Sequence, residues 1–140
     1  MNRFRWLCGA LGLCLATVSC GGPEYSGDKR FPVTGTATFD GQSIDLGAIS
    51  LVPTGGGRAC GGVIQDGKIE IPEENGPTAG TYRVELSWLK LTGRKLRDAE
   101  TGEMYDERKE ALPPKYQKDS TLQAEVPSEN NTYNFELTAN

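Results

Sequence analysis

The sequence predicts an all-β fold, a seven-stranded antiparallel Greek-key sandwich with a long charged insert before its last two strands. Three observations lead there. Apolar residues alternate with polar ones over several short runs, and glycine (18 of 140 residues) and proline (8) interrupt the chain at short intervals. No stretch of the mature chain carries the apolar spacing of an amphipathic helix.

Residues 33–40 place Val33, Gly35, Ala37 and Phe39 on one face and Thr34, Thr36 and Thr38 on the other. Threonine suits the half-exposed side of a strand. Asp40-Gly41 turns the chain, a second strand is expected at 48–52 before Pro53, and Thr54-Gly55-Gly56-Gly57 is a loop. Residues 62–65 and 68–71 are separated only by Asp66-Gly67, a two-residue connection that predicts a tight hairpin. Pro72 ends the second arm, and a polar loop runs on to Gly80. Residues 81–88 give the clearest strand: Tyr82, Val84, Leu86 and Trp88 point one way, while Arg83, Glu85 and Ser87 point the other. Unbroken period two predicts one face in the core.

From residue 89 to 120 the alternation stops. The segment is densely charged and contains Gly93, Gly102, Pro113 and Pro114, so it is expected as a long insert loop. A short charged helix over 99–111 stays open as an alternative within it. Leu112-Pro113-Pro114-Lys115-Tyr116 is expected to be extended, because proline restricts itself and the residue before it. Strands at 121–126 and 132–138, joined by a turn at Asn130-Asn131, complete the seven.

The first twenty residues read as an address rather than as part of the fold. Arg3 and Arg5 precede a 13-residue apolar run from Trp6 to Val18, closed by small residues. A membrane-spanning helix needs about 20 apolar residues, so the run is too short to be one. Cys20, between Ser19 and Gly21-Gly22, resembles the bacterial lipoprotein signal, in which this cysteine is acylated and becomes the mature N-terminus. Thr17 stands where such signals usually carry leucine, which keeps simple secretion of an unacylated chain open. The expected division is a signal peptide over 1–19, a lipidated N-terminus and flexible tether over 20–30, and the sandwich over 31–140. The expected location is the cell envelope, lipid-anchored to a membrane on its periplasmic or outer surface.

Composition narrows the chemistry. Histidine is absent, which removes imidazole as base, proton shuttle or metal ligand. Loss of Arg3 and Arg5 leaves 13 basic against 19 acidic side chains, and an acidic chain without a basic stripe is unsuited to nucleic acid. Cys8 and Cys14 leave with the signal and Cys20 takes the lipid, so Cys60 remains without an internal disulfide partner and is expected buried and inert.

The run Val33-Thr34-Gly35-Thr36-Ala37-Thr38-Phe39-Asp40-Gly41, followed by Ala48-Ile49-Ser50-Leu51-Val52-Pro53, resembles the opening of carboxypeptidase-regulatory-like domains, and Ala79-Gly80-Thr81-Tyr82-Arg83-Val84 is similar to their later glycine–x–tyrosine strand. The stretch from Pro32 to Leu137 looks like the small lipoproteins with such a domain that are abundant in planctomycete bacteria, including the Leu-Pro-Pro-Lys-Tyr segment at 112–116. The resemblance implies a transthyretin-like (prealbumin-like) sandwich and a non-catalytic accessory role. It gives Gly80 the backbone freedom before the strand, and packs Tyr82 inward with its hydroxyl tied to a loop.

No catalytic residue, cofactor or metal is therefore expected. Phe39, Gly80, Tyr82, Val84, Leu86 and Trp88 are expected to be structural. The acids Asp98, Glu100, Glu103, Asp106, Glu107 and Glu110 offer hard oxygen ligands, but their spacing is not that of a calcium loop, and Arg97, Arg108 and Lys109 neutralise part of their charge. An internal isopeptide bond would have to draw on Lys68, Asn134 and Glu85. Tyr105 and Tyr116 are the candidate ligand-binding residues. The expected role is a structural or interaction domain whose partners are the membrane, through the lipid, and a cell-envelope protein or glycan. The alternative is a carbohydrate- or peptide-binding module using residues 89–120.

Overall fold

The computed structural model describes residues 27–127 and 130–140. Cys20, the signal segment and most of the tether lie outside the described residues. Within them the chain is all-β: β1 (Val33–Phe39), β2 (Gln42–Ser43), β3 (Leu46–Pro53), β4 (Cys60–Gln65), β5 (Lys68–Ile71), β6 (Gly80–Arg97), β7 (Met104–Glu110), β8 (Gln123–Val126) and β9 (Thr132–Leu137), with short 3-10 turns at Glu73–Asn75 and Pro114–Tyr116.

One hydrogen-bonded path runs β2-β1-β5-β4-β3-β6-β7, with β8 also on β6 and β9 also on β1. The meander β3-β4-β5 follows from its turns. Asp66 and Gly67 both take positive φ (51° and 76°), the backbone of a two-residue hairpin connection. Strand β1 then joins β5 from Val33↔Ile71 to Thr36↔Lys68. The sheet is open, and it curls over a single core. Phe39 of β1 and Trp88 of β6 stand several strands apart along the path, yet their rings meet edge to face with centroids 6.1 Å apart.

The core is the set that period two selects: Val33 and Ala37 from β1, Ile49 and Leu51 from β3, Tyr82, Val84, Leu86 and Trp88 from β6, Ala124 and Val126 from β8, Phe135 and Leu137 from β9. Ile44, Ile64, Ile69, Ile71 and Leu112 complete it. On the outer face of β1 the threonines bond across to β9: Thr34 Oγ1 lies 3.0 Å from Thr132 Oγ1, and Thr36 donates to Asn134 Oδ1 at 2.9 Å.

Five expectations are corrected. The strands number nine among the described residues, because β2 and β7 join the seven. The sheet is not wholly antiparallel: β1 and β9 run parallel from Thr34↔Thr132 to Phe39↔Leu137. This close pairing needs Gly35, since a Cβ there would lie 1.8 Å from the Tyr133 carbonyl oxygen. Residues 89–120 are not a long loop; β6 continues unbroken to Arg97 and returns as β7. No helix forms over 99–111, where Asp98 and Gly102 close a turn instead. The Leu-Pro-Pro-Lys-Tyr segment is extended only through Pro113 (φ −61°, ψ 152°) and then makes a 3-10 turn. Pro114 opens that turn, a position where a missing N–H costs nothing.

Candidate functional site

The feature that stands out is a two-stranded arm. Strand β3 pairs with β6 only as far as Gly47↔Trp88, so beyond Trp88 the strand leaves the body and continues with β7 as its partner. The pairing runs from Leu89↔Glu110 to Leu91↔Arg108, breaks register between Leu91 and Lys95, and resumes through Arg97↔Met104. Gly93, at φ +81°, carries the irregularity.

Turn chemistry makes the tip. Asp98 Oδ1 accepts from the Glu100 N–H (2.9 Å) and the Thr101 N–H (2.7 Å), and its main chain bonds Gly102 and Glu103. Those backbone donors, Thr101 first, hold the Asp98 carboxyl below the usual carboxylate value. Along the arm Lys95 pairs with Asp106 (2.8 Å), while Glu107 has Lys109 at 3.5 Å and Arg94 at 3.9 Å. Glu107 also accepts from the Thr92 hydroxyl at 2.7 Å, the main reason its carboxyl is held low, ahead of Lys109 and Arg94.

A polar joint seats the arm on the body. Trp88 Nε1 donates to Asp45 Oδ1 at 2.6 Å, and Arg108 reaches Asp45 Oδ2 at 3.0 Å and the Leu89 carbonyl at 2.7 Å. The Trp88 indole and then the Arg108 guanidinium lower the Asp45 carboxyl. Glu110 Oε1 accepts from the backbone N–H groups of Trp88 (3.0 Å) and Leu112 (2.9 Å), and Ala111 N–H bonds the Trp88 carbonyl. Lys90 Nζ lies 4.7 Å over the Trp88 ring and donates to Gln42.

The two candidate tyrosines do not converge. Tyr105 lies opposite Leu96 in the outer part of the arm and is half exposed. Tyr116 sits behind the base of the arm, where its hydroxyl donates to the Thr138 carbonyl (2.9 Å) and accepts from the Thr138 N–H (3.0 Å). The Thr138 N–H in particular lowers its phenol, and Lys115 lies 5.0 Å over its ring. Tyr116 thus ties the connection after the arm to the end of β9, and is not presented to solvent as Tyr105 is.

Among the structural residues, Tyr82, Val84, Leu86 and Trp88 are buried, and Phe39 packs against them partly exposed. Tyr82 hydroxyl donates to the Thr78 carbonyl at 2.9 Å. Gly80 has φ +152° at the start of β6. Lys68 and Asn134 flank Thr36 in one row of the exposed face, and Glu85 pairs with Arg83 at 2.5 Å on another strand, so no buried acid stands between lysine and asparagine. Burial pushes the Cys60 thiol up, which keeps it protonated at neutral pH. Among the described residues no group of three or more Cys, Asp or Glu side chains is placed to hold a metal ion, and no helix is long and apolar enough to cross a membrane.

Two shallow clefts open at the tether end of the body. One, of about 360 Å³, lies between Asp28, Arg30, Glu73 and Glu74. The other, of about 650 Å³, includes Lys29, Phe31, Gly57, Thr78 and Gly80 in its lining. Sequence reading passed over Asp45, and it weighed Arg108 and Glu110 only as members of a charged segment, not as the residues that seat the arm. The signal for the latter two was only the mixed acidic and basic run Asp106-Glu107-Arg108-Lys109-Glu110. No family model matches the chain, and no curated protein or solved structure matches it.

Proposed function

We propose that this chain is an exported lipoprotein, acylated at Cys20, that holds a non-catalytic transthyretin-like sandwich at a cell-envelope membrane and uses the β6–β7 arm as its interaction surface. The observation that carries the reading is where exposed apolar side chains sit. Among the described residues the exposed large apolar side chains are Val63, Leu89, Leu91, Met104 and Tyr105, and all but Val63 belong to the arm. Apolar groups gathered on a protruding, well-seated element favour contact with another molecule. Anchoring is supported by Arg3, Arg5, the apolar run to Val18 and Cys20. Two or more acyl chains on one cysteine make membrane binding stable, where a single chain does not.

Intact-mass measurement on membrane-extracted protein tests the reading. The expected mass lacks residues 1–19 and carries added acyl groups, and Cys20→Ser moves the chain out of the membrane fraction. A chain still beginning at Met1 and recovered from the cytosol overturns it. The exposure of Tyr105 favours a second reading, glycan or peptide binding at the arm. On that reading Tyr105→Ala abolishes saturable binding on a glycan array, while Tyr116→Phe leaves it in place.

A further inference from the structure

We propose that β7 is a homodimerisation edge: two copies of the chain pair their β7 strands antiparallel about a two-fold axis at Glu107, joining the two arms into a four-stranded sheet. Three observations carry this. First, β7 ends the sheet path and has β6 as its partner among the described residues, and a two-stranded ribbon that leaves its body is marginal until a further strand covers an edge. Second, the edge is regular. Ala111 N–H bonds Trp88 on β6 and the Glu103 carbonyl bonds Asp98. The odd-numbered residues of β7 therefore turn their peptide groups inward, and Met104, Asp106, Arg108 and Glu110 turn theirs outward.

Third, the charges are self-complementary in one register only. Antiparallel pairing needs outward-facing residues opposite each other, so Asp106 can face Met104, its own copy, Arg108 or Glu110. Facing Met104, it makes no ion pair and sets Glu107 against Glu103. Facing itself, Asp106 repels. Facing Glu110, it repels again and Arg108 meets its own copy, three like-charge contacts against the two Glu107–Lys109 pairs of that register. Facing Arg108, it makes two opposite-charge pairs related by the two-fold, and Tyr105 lies opposite Lys109, a contact of ring and ammonium. Glu107 faces itself across the axis, but each copy has Lys109 and Arg94 beside it. Arg108 spends Nη1 on Asp45 and Leu89, and its guanidinium offers further donors to the second carboxylate. The antiparallel register sets the two bodies at opposite ends of the ribbon, each beside the Asp98–Gly102 turn of the other copy. The pairing does not depend on acylation of Cys20, so it stands or falls apart from the anchoring reading.

The test uses the full chain extracted in mild detergent. Glu107→Cys places two thiols on the axis, in a non-hydrogen-bonded pair about 4.5 Å apart between Cα atoms, within disulfide reach. Mild oxidation is expected to give a covalent dimer for Glu107→Cys and not for Lys109→Cys, whose partner position is Tyr105. Asp106→Arg and Arg108→Asp should each weaken self-association by roughly tenfold or more. Mixing the two restores it as a heterodimer, because both cross-axis pairs become opposite in sign, and loss of the Asp45 contact alone gives no such rescue. Sedimentation showing a monomeric wild type at tens of micromolar, equal crosslinking of the two cysteine variants, or no rescue on mixing each overturns the proposal.

Discussion

The two halves of β6 are held by different forces. From Gly80 to Trp88 the strand has β3 on one side and β8 on part of the other, and it buries Tyr82, Val84, Leu86 and Trp88. From Leu89 to Arg97 it has β7 alone, and its side chains lie mostly in solvent. Burial of an aromatic or aliphatic side chain is worth about 1.5–3 kcal/mol, whereas exposed ion pairs such as Lys95–Asp106 contribute about 0–1 kcal/mol each. The body is therefore fixed by its core. The arm is fixed by its turn at Asp98 and by the joint at Asp45, Trp88, Arg108 and Glu110, and one continuous strand passes through both regimes.

The largest effect falls where the regimes meet. Trp88 fills the core against Phe39 and also donates to Asp45. Trp88→Ala is expected to cost about 3–5 kcal/mol of global stability by denaturant unfolding. Lys95→Ala, in the arm, should stay within about 0.5 kcal/mol of the parent. If both variants lose comparable stability, the contrast between halves is wrong. Tyr116→Phe comes next: it removes the hydroxyl that both donates to and accepts from Thr138, at about 1 kcal/mol for each bond. Its loss should show as a midpoint lowered by several degrees for a domain this size. An unchanged midpoint would mean that Tyr116 does not hold the end of β9 in place.

The same contrast decides what could be read from sequence. Period two is a record of burial, so it located the buried half of β6, the Asp66-Gly67 hairpin and most of the core. Beyond Trp88 the alternation changes phase, with Leu89 and Leu91 apolar at odd positions where Tyr82 to Trp88 ran on even ones. It ends at Gly93-Arg94-Lys95, so two apolar residues out of phase did not read as a continuation of the strand. The parallel β1–β9 pair was equally hidden. Its requirement is a missing Cβ at Gly35, and a lone glycine in a strand does not say which neighbour comes close. Of the candidate site, Tyr105 was legible as an exposed aromatic in a polar segment. The seating residues were not, because Asp45 meets Arg108 and Trp88 only once the sheet has curled.

A local effect is the sharpest probe of the boundary. The Asp45 carboxyl sits below its ordinary value of 3.8 because Trp88 donates to it and Arg108 stands beside it. The folded chain thus binds that proton less readily than the unfolded chain does. Its contribution is complete well above pH 4 and is lost as pH falls through the lowered value. Asp45→Asn keeps an acceptor for the indole but loses the charge that holds Arg108. Hydrogen exchange at pH 6 is then expected to quicken several-fold at the amides of 104–110 and to stay unchanged at 82–86. Lowering the pH of the parent protein through that depressed value should reduce protection at the same amides, measured against the intrinsic exchange rate at each pH. The Asp45→Asn variant responds less to that drop, its remaining sensitivity coming from Asp98 and Glu107, whose carboxyls are also held low. If protection falls equally in both segments, arm and body open as one unit, and the joint is part of the core rather than a seam beside it.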